Sequence, residues 1–393
     1  MATSAAVPVR RLWLGVLCGY LALGATLQEL PEYMVGKYQA GPAATGLAVG
    51  AAFLATAIFR PLAGRAGDAG RARPVVMAGG ALTALAAVGH LLAPTVGLLL
   101  LARLLMGAGE AALFSASLPW VLAGTPADRR GRVSGWFGLS MWGGLTLGPL
   151  LAVLVHDLAG ATAVWLMVVA LPLISTVLAS TTGHQPRPAE AEPLLPKRLR
   201  DVLPAGVGLP GLVLGLSAYG YGSITALVVL YLTTQHIGGQ SIALSIYAIA
   251  FLATRFLGSP QVDRRGPVVL AKLSLAVEAV GLLIVAFGTT QTGVLIGAAI
   301  TGIGIGTIYP ATSALTLHRT GAVRPGVAMG SMTSLWDLGI LVAGPVGGVI
   351  AGWLGYPAAF VLAAAVSAFA LVLAFALRRP VLAARVPESA AAA

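Results

Sequence analysis

Three stretches of this chain carry no Asp, Glu, Lys or Arg at all: Pro74–Ala102, Val202–Thr254 and Leu338–Leu377. Such runs are longer than one crossing needs, because a membrane helix takes roughly 20 mostly apolar residues. Across all 393 residues, 58% are hydrophobic and only 9% charged, with a mean hydropathy of +0.90. A soluble domain needs about 25% charged residues to wet its surface. A soluble enzyme, a disordered chain and a nucleic-acid binder are therefore excluded. Cys18 is the only cysteine, so neither an internal disulfide nor a cysteine metal cluster can form.

Turn signals cut the longest runs, at Gln235-His236-Ile237-Gly238-Gly239-Gln240 and at Leu354-Gly355-Tyr356-Pro357. Cutting there and at the charge clusters predicts twelve transmembrane helices near 12–34, 43–64, 74–93, 96–122, 131–155, 161–182, 205–232, 241–261, 267–288, 292–317, 325–352 and 355–378. With the N-terminus inside, 22 of the 24 Lys and Arg fall on inner junctions and tails. Lys37 is the one in an outer loop and Arg103 the one within a span. This asymmetry orients the chain, with both termini cytoplasmic in a cell inner membrane. It also explains the net charge of +11 without nucleic acid. Arg10-Arg11 ahead of an apolar run resembles a signal peptide, but that run ends in Gln28-Glu29-Leu30-Pro31 with no small-x-small site, and reads as a retained first helix.

The chain divides into a six-helix half at 1–182, a proline-rich cytoplasmic linker at 183–204, a second six-helix half at 205–380 and a disordered tail at 381–393. The halves repeat. A shift of 195 residues maps Arg60 onto Arg255, Asp68 onto Asp263, Gly107 onto Gly302, Gly109 onto Gly304, Gly135 onto Gly330 and Gly144 onto Gly339. Gly148-Pro149 falls one residue from Gly344-Pro345. A charged pair at that offset and a Gly-Pro pair one residue from it indicate a parallel duplication about an axis along the membrane normal.

Twelve spans in a six-plus-six duplication resemble the major facilitator superfamily over essentially the whole chain. Three motifs carry the resemblance. Gly64-Arg65-Ala66-Gly67-Asp68-Ala69-Gly70-Arg71-Ala72-Arg73 is similar to the loop between that family's spans 2 and 3, one residue short and lacking the Arg after Asp. Its repeat, Gln261-Val262-Asp263-Arg264-Arg265-Gly266, keeps that Arg. Arg103-x-x-x-Gly107-x-Gly109 lies in span 4. Gly135, Gly144 and Gly148-Pro149 in span 5 have the spacing of the family's proton-coupled antiporters, with Ala152-Val153 replacing a Gly-Gly pair. The resemblance implies a monomeric alternating-access transporter with spans 1, 4, 7 and 10 around a central cavity.

The motifs also have a direct physical reading. Asp68 and Asp263, with Arg60, Arg71 and Arg255 nearby, can pair with Arg or with helix N-terminal amides across the two halves and so act as a gate. The alternative is a pair of topology signals. Gly144 and Gly148 allow close helix approach, and Pro149 removes a backbone donor.

Ionisable groups inside spans are costly, about 2.5–3.5 kcal/mol on insertion scales, and mark function. Glu110 in span 4 and Asp337 in span 11 are the candidate proton or substrate carboxylates. An unpaired carboxyl out of water tends to hold its proton. Arg103 is a coupling group or else a partner of backbone carbonyls. Glu29, on one face with Gln28, is a further cavity candidate or a solvated helix end. Glu32 is expected at the interface and Glu278 in packing. Tyr20, Trp120, Tyr219, Tyr221, Tyr309 and Trp336 are a plausible cavity lining, although ordinary packing or an interfacial belt is the better reading of any one of them alone.

No phosphate-binding loop, zinc-protease helix or nucleophile elbow occurs, so neither catalysis nor a metal or other cofactor is expected. The expected partners are a small-molecule substrate, protons and lipid. The function expected is export of an amphipathic drug-like or natural-product molecule against protons. The alternatives are proton-symport uptake of a metabolite, and a lipid translocase or receptor on the same fold.

Overall fold

The computed structural model describes residues 7–40, 42–126, 129–183, 185, 196, 198–321 and 324–377. Most of the expected linker and the whole 381–393 tail lie outside them. The described residues form α1 (Val9–Tyr38), α2 (Pro42–Asp68), α3 (Ala72–Leu92), α4 (Val96–Ala123), α5 (Arg130–Ser180), α6 (Gly208–Thr234), α7 (Gln240–Gly258), α8 (Gln261–Arg265), α9 (Pro267–Phe287), α10 (Gln291–Gly306), α11 (Ile308–Arg319), α12 (Pro325–Leu354) and α13 (Tyr356–Ala374). Among them there is no strand.

Ten segments are long and apolar enough to cross a membrane. One, Arg132–Ser180, is 49 residues long. As a straight helix it would reach about 74 Å, more than twice a hydrocarbon core. It turns back instead. Trp136 stacks on Trp13, and Arg11 donates to the carbonyl of Thr181, the residue after α5, so positions 45 apart sit at the same end of α1. His156, between them, meets Glu29 at the other end. The turn is carried by Gly160, at φ +79° and ψ 171°, a backbone state that only glycine adopts without strain. Counting the arms of α5 separately and adding the shorter apolar Ile242–Gly258 of α7 brings ten to twelve.

Two expected segments differ in form. The turn expected between residues 155 and 161 shrinks to the single residue Gly160. The tenth span, expected as one helix, breaks at Thr307 into α10 and α11. Gly302, Gly304 and Gly306 lower helix propensity just before the break.

The duplication is visible in contacts. Thr95 and Thr290, 195 apart, accept from the backbone N–H of Leu98 and Gly293 and start α4 and α10 in the same way. Gly107 packs against the backbone of Ala52, and Gly302 against that of Tyr247, its counterpart under the same shift. Gly144 and Gly148 let α5 lie directly on α1, where a Cβ at Gly148 would stand 2.6 Å from the Leu21 carbonyl oxygen. Pro149 closes the same crossing on Gly24. With apolar lipid outside and apolar side chains inside, such close approach supplies the packing that holds membrane helices together.

The halves meet through α2, α4 and α5 on one side and α7, α8, α11 and α12 on the other. The contacts are concentrated towards the arginine-rich end. Along α12, Gly326 touches Gly64, Gly330 faces Arg60, Ser334 donates to the carbonyl of Ala57 at 2.6 Å, and Leu341 reaches Gly50. Beyond that point Gly344, Gly348 and Gly352 have no neighbour within 4 Å of where a Cβ would stand.

Candidate functional site

The arginine-rich end is clamped by one carboxylate. Asp68 ends α2, and α12 begins at Pro325 across the interface. Oδ1 of Asp68 accepts from the N–H of Gly326 at 2.8 Å and Oδ2 from that of Val327 at 2.9 Å. The first turn of a helix carries unsatisfied donors and a partial positive charge, so the anion suits it twice over. Gly64 and Gly326 bring the backbones close enough for this contact. Asp263, the repeat counterpart, is exposed on the short α8, and Arg71 is exposed at the start of α3.

Deeper in, the buried charges sort themselves by partner. Arg60 crosses from α2 to α12 and forks onto Asp337, Nε to Oδ2 and Nη2 to Oδ1 at 3.2 Å. Their side chains are 3% and 1% exposed, so the pair is sealed between the halves. Nη1 of Arg60 rests on the Met141 sulfur at 3.6 Å. Arg103 donates to the carbonyls of Ala48 and Val49 at 2.9 and 3.1 Å and ties α4 to α2. Glu110, seven residues on, is fully buried, and neither carboxyl oxygen has a hydrogen-bond partner. Tyr20 donates to its main-chain carbonyl at 3.2 Å.

Glu278 takes Ser217 at 2.6 Å and Ser367 at 2.8 Å, joining α9 to α6 and α13. Glu29 is not a solvated helix end. It turns inward to His156 at 3.1 Å, while Gln28 and Glu32 are exposed, so Gln28 and Glu29 occupy different environments.

A layer of aromatic rings lies beside the Arg60–Asp337 pair. Trp142, 12 residues into α5, and Trp336, 11 residues into α12, stand about 16–18 Å from the arginine-rich helix ends, near mid-bilayer depth. Their rings meet edge to face at 4.5 Å. Tyr309 is 5.9 Å and Phe251 5.8 Å from Trp142, and Tyr221 is 5.3 Å from Trp336. Tyr247 stacks on Phe251 and meets Tyr221. Gly138 makes room for the Tyr309 ring.

Arg255 of α7 lies in this layer. Its guanidinium carbon is 4.7 Å from the Trp142 centroid, 4.9 Å from Phe251 and 5.1 Å from Tyr309. Nε donates at 3.2 Å to the carbonyl of Gly306, freed where α10 breaks. Nη1 and Nη2 have no partner. Tyr219 is buried in α6 with its hydroxyl unpartnered, and Trp120 is buried late in α4.

Sequence reasoning placed Tyr309 and Trp336 among cavity candidates and missed Trp142, Tyr247 and Phe251. It also put Arg60 and Arg255 at a loop gate, whereas both point into the buried layer between the halves. Among the described residues no cluster of three or more His, Cys, Asp or Glu could hold a metal ion.

The family model of the Major Facilitator Superfamily matches residues 12–242 and 210–392. The chain belongs to the major facilitator superfamily. It is 31% identical over 373 residues to an uncharacterised MFS-type transporter of Salmonella typhimurium, covering 92% of this chain and 94% of that one. It is 30% identical over 369 residues to the uncharacterised MFS-type transporter YhhS of Escherichia coli, covering 92% and 90%. Among solved structures, the human organic anion transporter MFSD10 superposes with a TM-score of 0.77 at 16% identity, covering 93% of this chain and 99% of that one. FucP in the outward conformation superposes at 0.70 and 17% identity, covering 95% and 99%. These likenesses establish the fold. The protein is a multi-pass membrane transporter.

Proposed function

We propose that this transporter exports an amphipathic small molecule from the cytoplasm in exchange for protons, working as a monomer by alternating access in the cell inner membrane. The Lys and Arg distribution supports a cytoplasmic side for the clamped end and both termini. The state described is then closed inward, and the Asp68 contact with the start of α12 is one that inward opening must break. A contact present in one state and absent in the other biases the equilibrium between them.

Proton coupling rests on Glu110. It is the one buried carboxylate whose two oxygens have no hydrogen-bond partner among the described residues, since Asp337 is held by Arg60 and Glu278 by two serines. Burying an unpaired carboxylate is costly, which makes Glu110 the group best suited to take up and release a proton as its access to water changes. The Gly144, Gly148 and Pro149 pattern in α5 supports exchange over symport by its likeness to the antiporters.

The test is transport in inverted membrane vesicles with and without an imposed proton gradient. Glu110→Gln is expected to abolish gradient-driven transport while leaving substrate binding measurable. Full active transport by the variant would remove Glu110 from the coupling path and leave Asp337 as the remaining carrier. Gradient-driven movement of substrate in the opposite sense would replace export with uptake.

A further inference from the structure

The shift of 195 residues that carries Arg60 onto Arg255 also carries Trp142 onto Asp337. Each half therefore sends an arginine across to the same place in the other half. Arg60 meets a carboxylate there. Arg255 meets the face of an indole. The first guanidinium is matched in charge and geometry, with a forked pair to Asp337. The second is equally buried, at 0% exposure, yet keeps only one hydrogen bond, through Nε, and leaves two nitrogens unsatisfied.

A buried cation needs a counter-charge or donor-for-donor compensation. Three aromatic faces supply part of it. They cannot accept the in-plane N–H bonds of Nη1 and Nη2, which lie in the geometry that grips a carboxylate. Against the guanidinium lie rings from both halves, Trp142 from the first and Phe251 and Tyr309 from the second, and Trp336 and Tyr221 adjoin Trp142. An apolar, aromatic-walled layer with one convergent charge is the usual make-up of a small-molecule site.

We infer that Arg255 is the substrate's anion-binding residue, and that the transported molecule is an aromatic or amphipathic organic acid whose carboxylate completes at Arg255 the pair that Asp337 completes at Arg60. This rests on the export reading for direction but not for the site. In the state described, the guanidinium folds onto Trp142, Phe251 and Tyr309. On binding, the acid takes Nη1 and Nη2 and its ring joins the aromatic layer. Because walls from both halves contribute, the site is disassembled and rebuilt as the halves rock.

The experiment is equilibrium binding to the purified full-length protein, read by quenching of tryptophan fluorescence, since Trp142 and Trp336 line the site. The probes are naphthalene-2-carboxylate and naphthalene-2-carboxamide, equal in shape and different in charge. The acid is expected to bind at least tenfold tighter to the native protein. Arg255→Gln is expected to erase the preference, and Arg255→Lys to retain part of it, because lysine keeps the charge and loses the fork. Trp142→Asp supplies an internal carboxylate at the counterpart of Asp337. It is expected to fill the arginine and abolish acid binding while raising the unfolding temperature.

Equal binding of acid and amide by the native protein, failure of both to bind, or an acid preference that survives Trp142→Asp would each overturn the assignment. Those measurements do not depend on how well Arg255→Gln folds. Vesicle transport separates this inference from the proton reading. Loss of gradient dependence with the acid preference intact overturns exchange and keeps the site. Gradient-driven export of neutral or cationic amphiphiles with no acid preference does the reverse.

Discussion

The α2/α12 crossing and the α5/α7 crossing occupy equivalent places in the duplicated fold, and the chain builds them differently. At the first, Gly64, Gly326 and Gly330 bring two backbones into contact, Asp68 grips the start of α12, and Arg60 is locked to Asp337. At the second, Gly135 has the Pro310 side chain as its nearest neighbour, Ser259 stands where the repeat has Gly64, and Arg255 rests on rings. The backbone symmetry survives while the side-chain chemistry has diverged. One crossing has its charges satisfied from within. The other leaves a buried guanidinium with one hydrogen bond.

Four measurements would break or sharpen that contrast. The largest effect is expected at the locked pair. Asp337→Asn strands Arg60 in a dry interface, a loss of about 3–5 kcal/mol for a buried charge deprived of its partner. Thermal unfolding in detergent should show it as a large drop in midpoint. The matching change at the other crossing, Arg255→Leu, removes a cation that has no carboxylate partner and should cost less than about 2 kcal/mol. Equal losses at the two sites would mean that the crossings are energetically alike.

Glycine replacement comes next. A Cβ at Gly330 would stand 2.5 Å from the Arg60 carbonyl oxygen, whereas at Gly135 its nearest neighbour is a side-chain carbon at 3.1 Å. Gly330→Ala should therefore cost about 1–3 kcal/mol of the state described, the usual range for overpacking, and Gly135→Ala clearly less. Spin-label distances across the arginine-rich ends of the halves would report the change.

Asp68→Asn loses a charge and one of two acceptor bonds to α12. A loss of about 1.4 kcal/mol would shift the ratio of states tenfold. The short distance between labels on the arginine-rich ends of α2 and α12 should lose population, and turnover should slow. Asp263→Asn should act in the same direction and more weakly, because Asp263 is exposed. If neither change alters the distance distribution, the loops are topology signals only.

The smallest effect is expected from Trp142→Phe, which keeps an aromatic face under Arg255 with a weaker quadrupole. The stability change should stay below about 1 kcal/mol. Its tryptophan-quenching signal would also apportion the fluorescence response between Trp142 and Trp336.

Much of this architecture was legible in the sequence because hydropathy and charge are local signals. Segment length gave the spans, the arginines gave an orientation, and the 195-residue offset gave the duplication that Thr95 and Thr290 repeat as helix caps. Pairing between distant residues was not legible in the same way. Arg60 and Asp337 lie 277 positions apart, and Glu29 and His156 lie 127 apart. Each residue alone looks like an isolated polar group in an apolar helix.

Arg103 shows a second limit. Its place in a span suggested coupling or a carbonyl contact, and only the crossing of α4 with α2 brings it to the Ala48 and Val49 oxygens. A signal for the aromatic layer was present in the repeat itself. Following Asp337 back by the same offset reaches Trp142, the ring that Arg255 covers.

The single-glycine reversal of α5 has a practical consequence for anyone handling the protein. Between the arms of that helix there is no loop on the surface far from the arginines. That stretch offers only a tight exposed turn, Asp157, Leu158 and Ala159 before Gly160 and Ala161 and Thr162 after it, so an antibody, a protease or a reporter tag has few residues to engage. The exposed turn at Gln235 and His236, on the same surface, has room for such probes. Labelling from that side should be designed there.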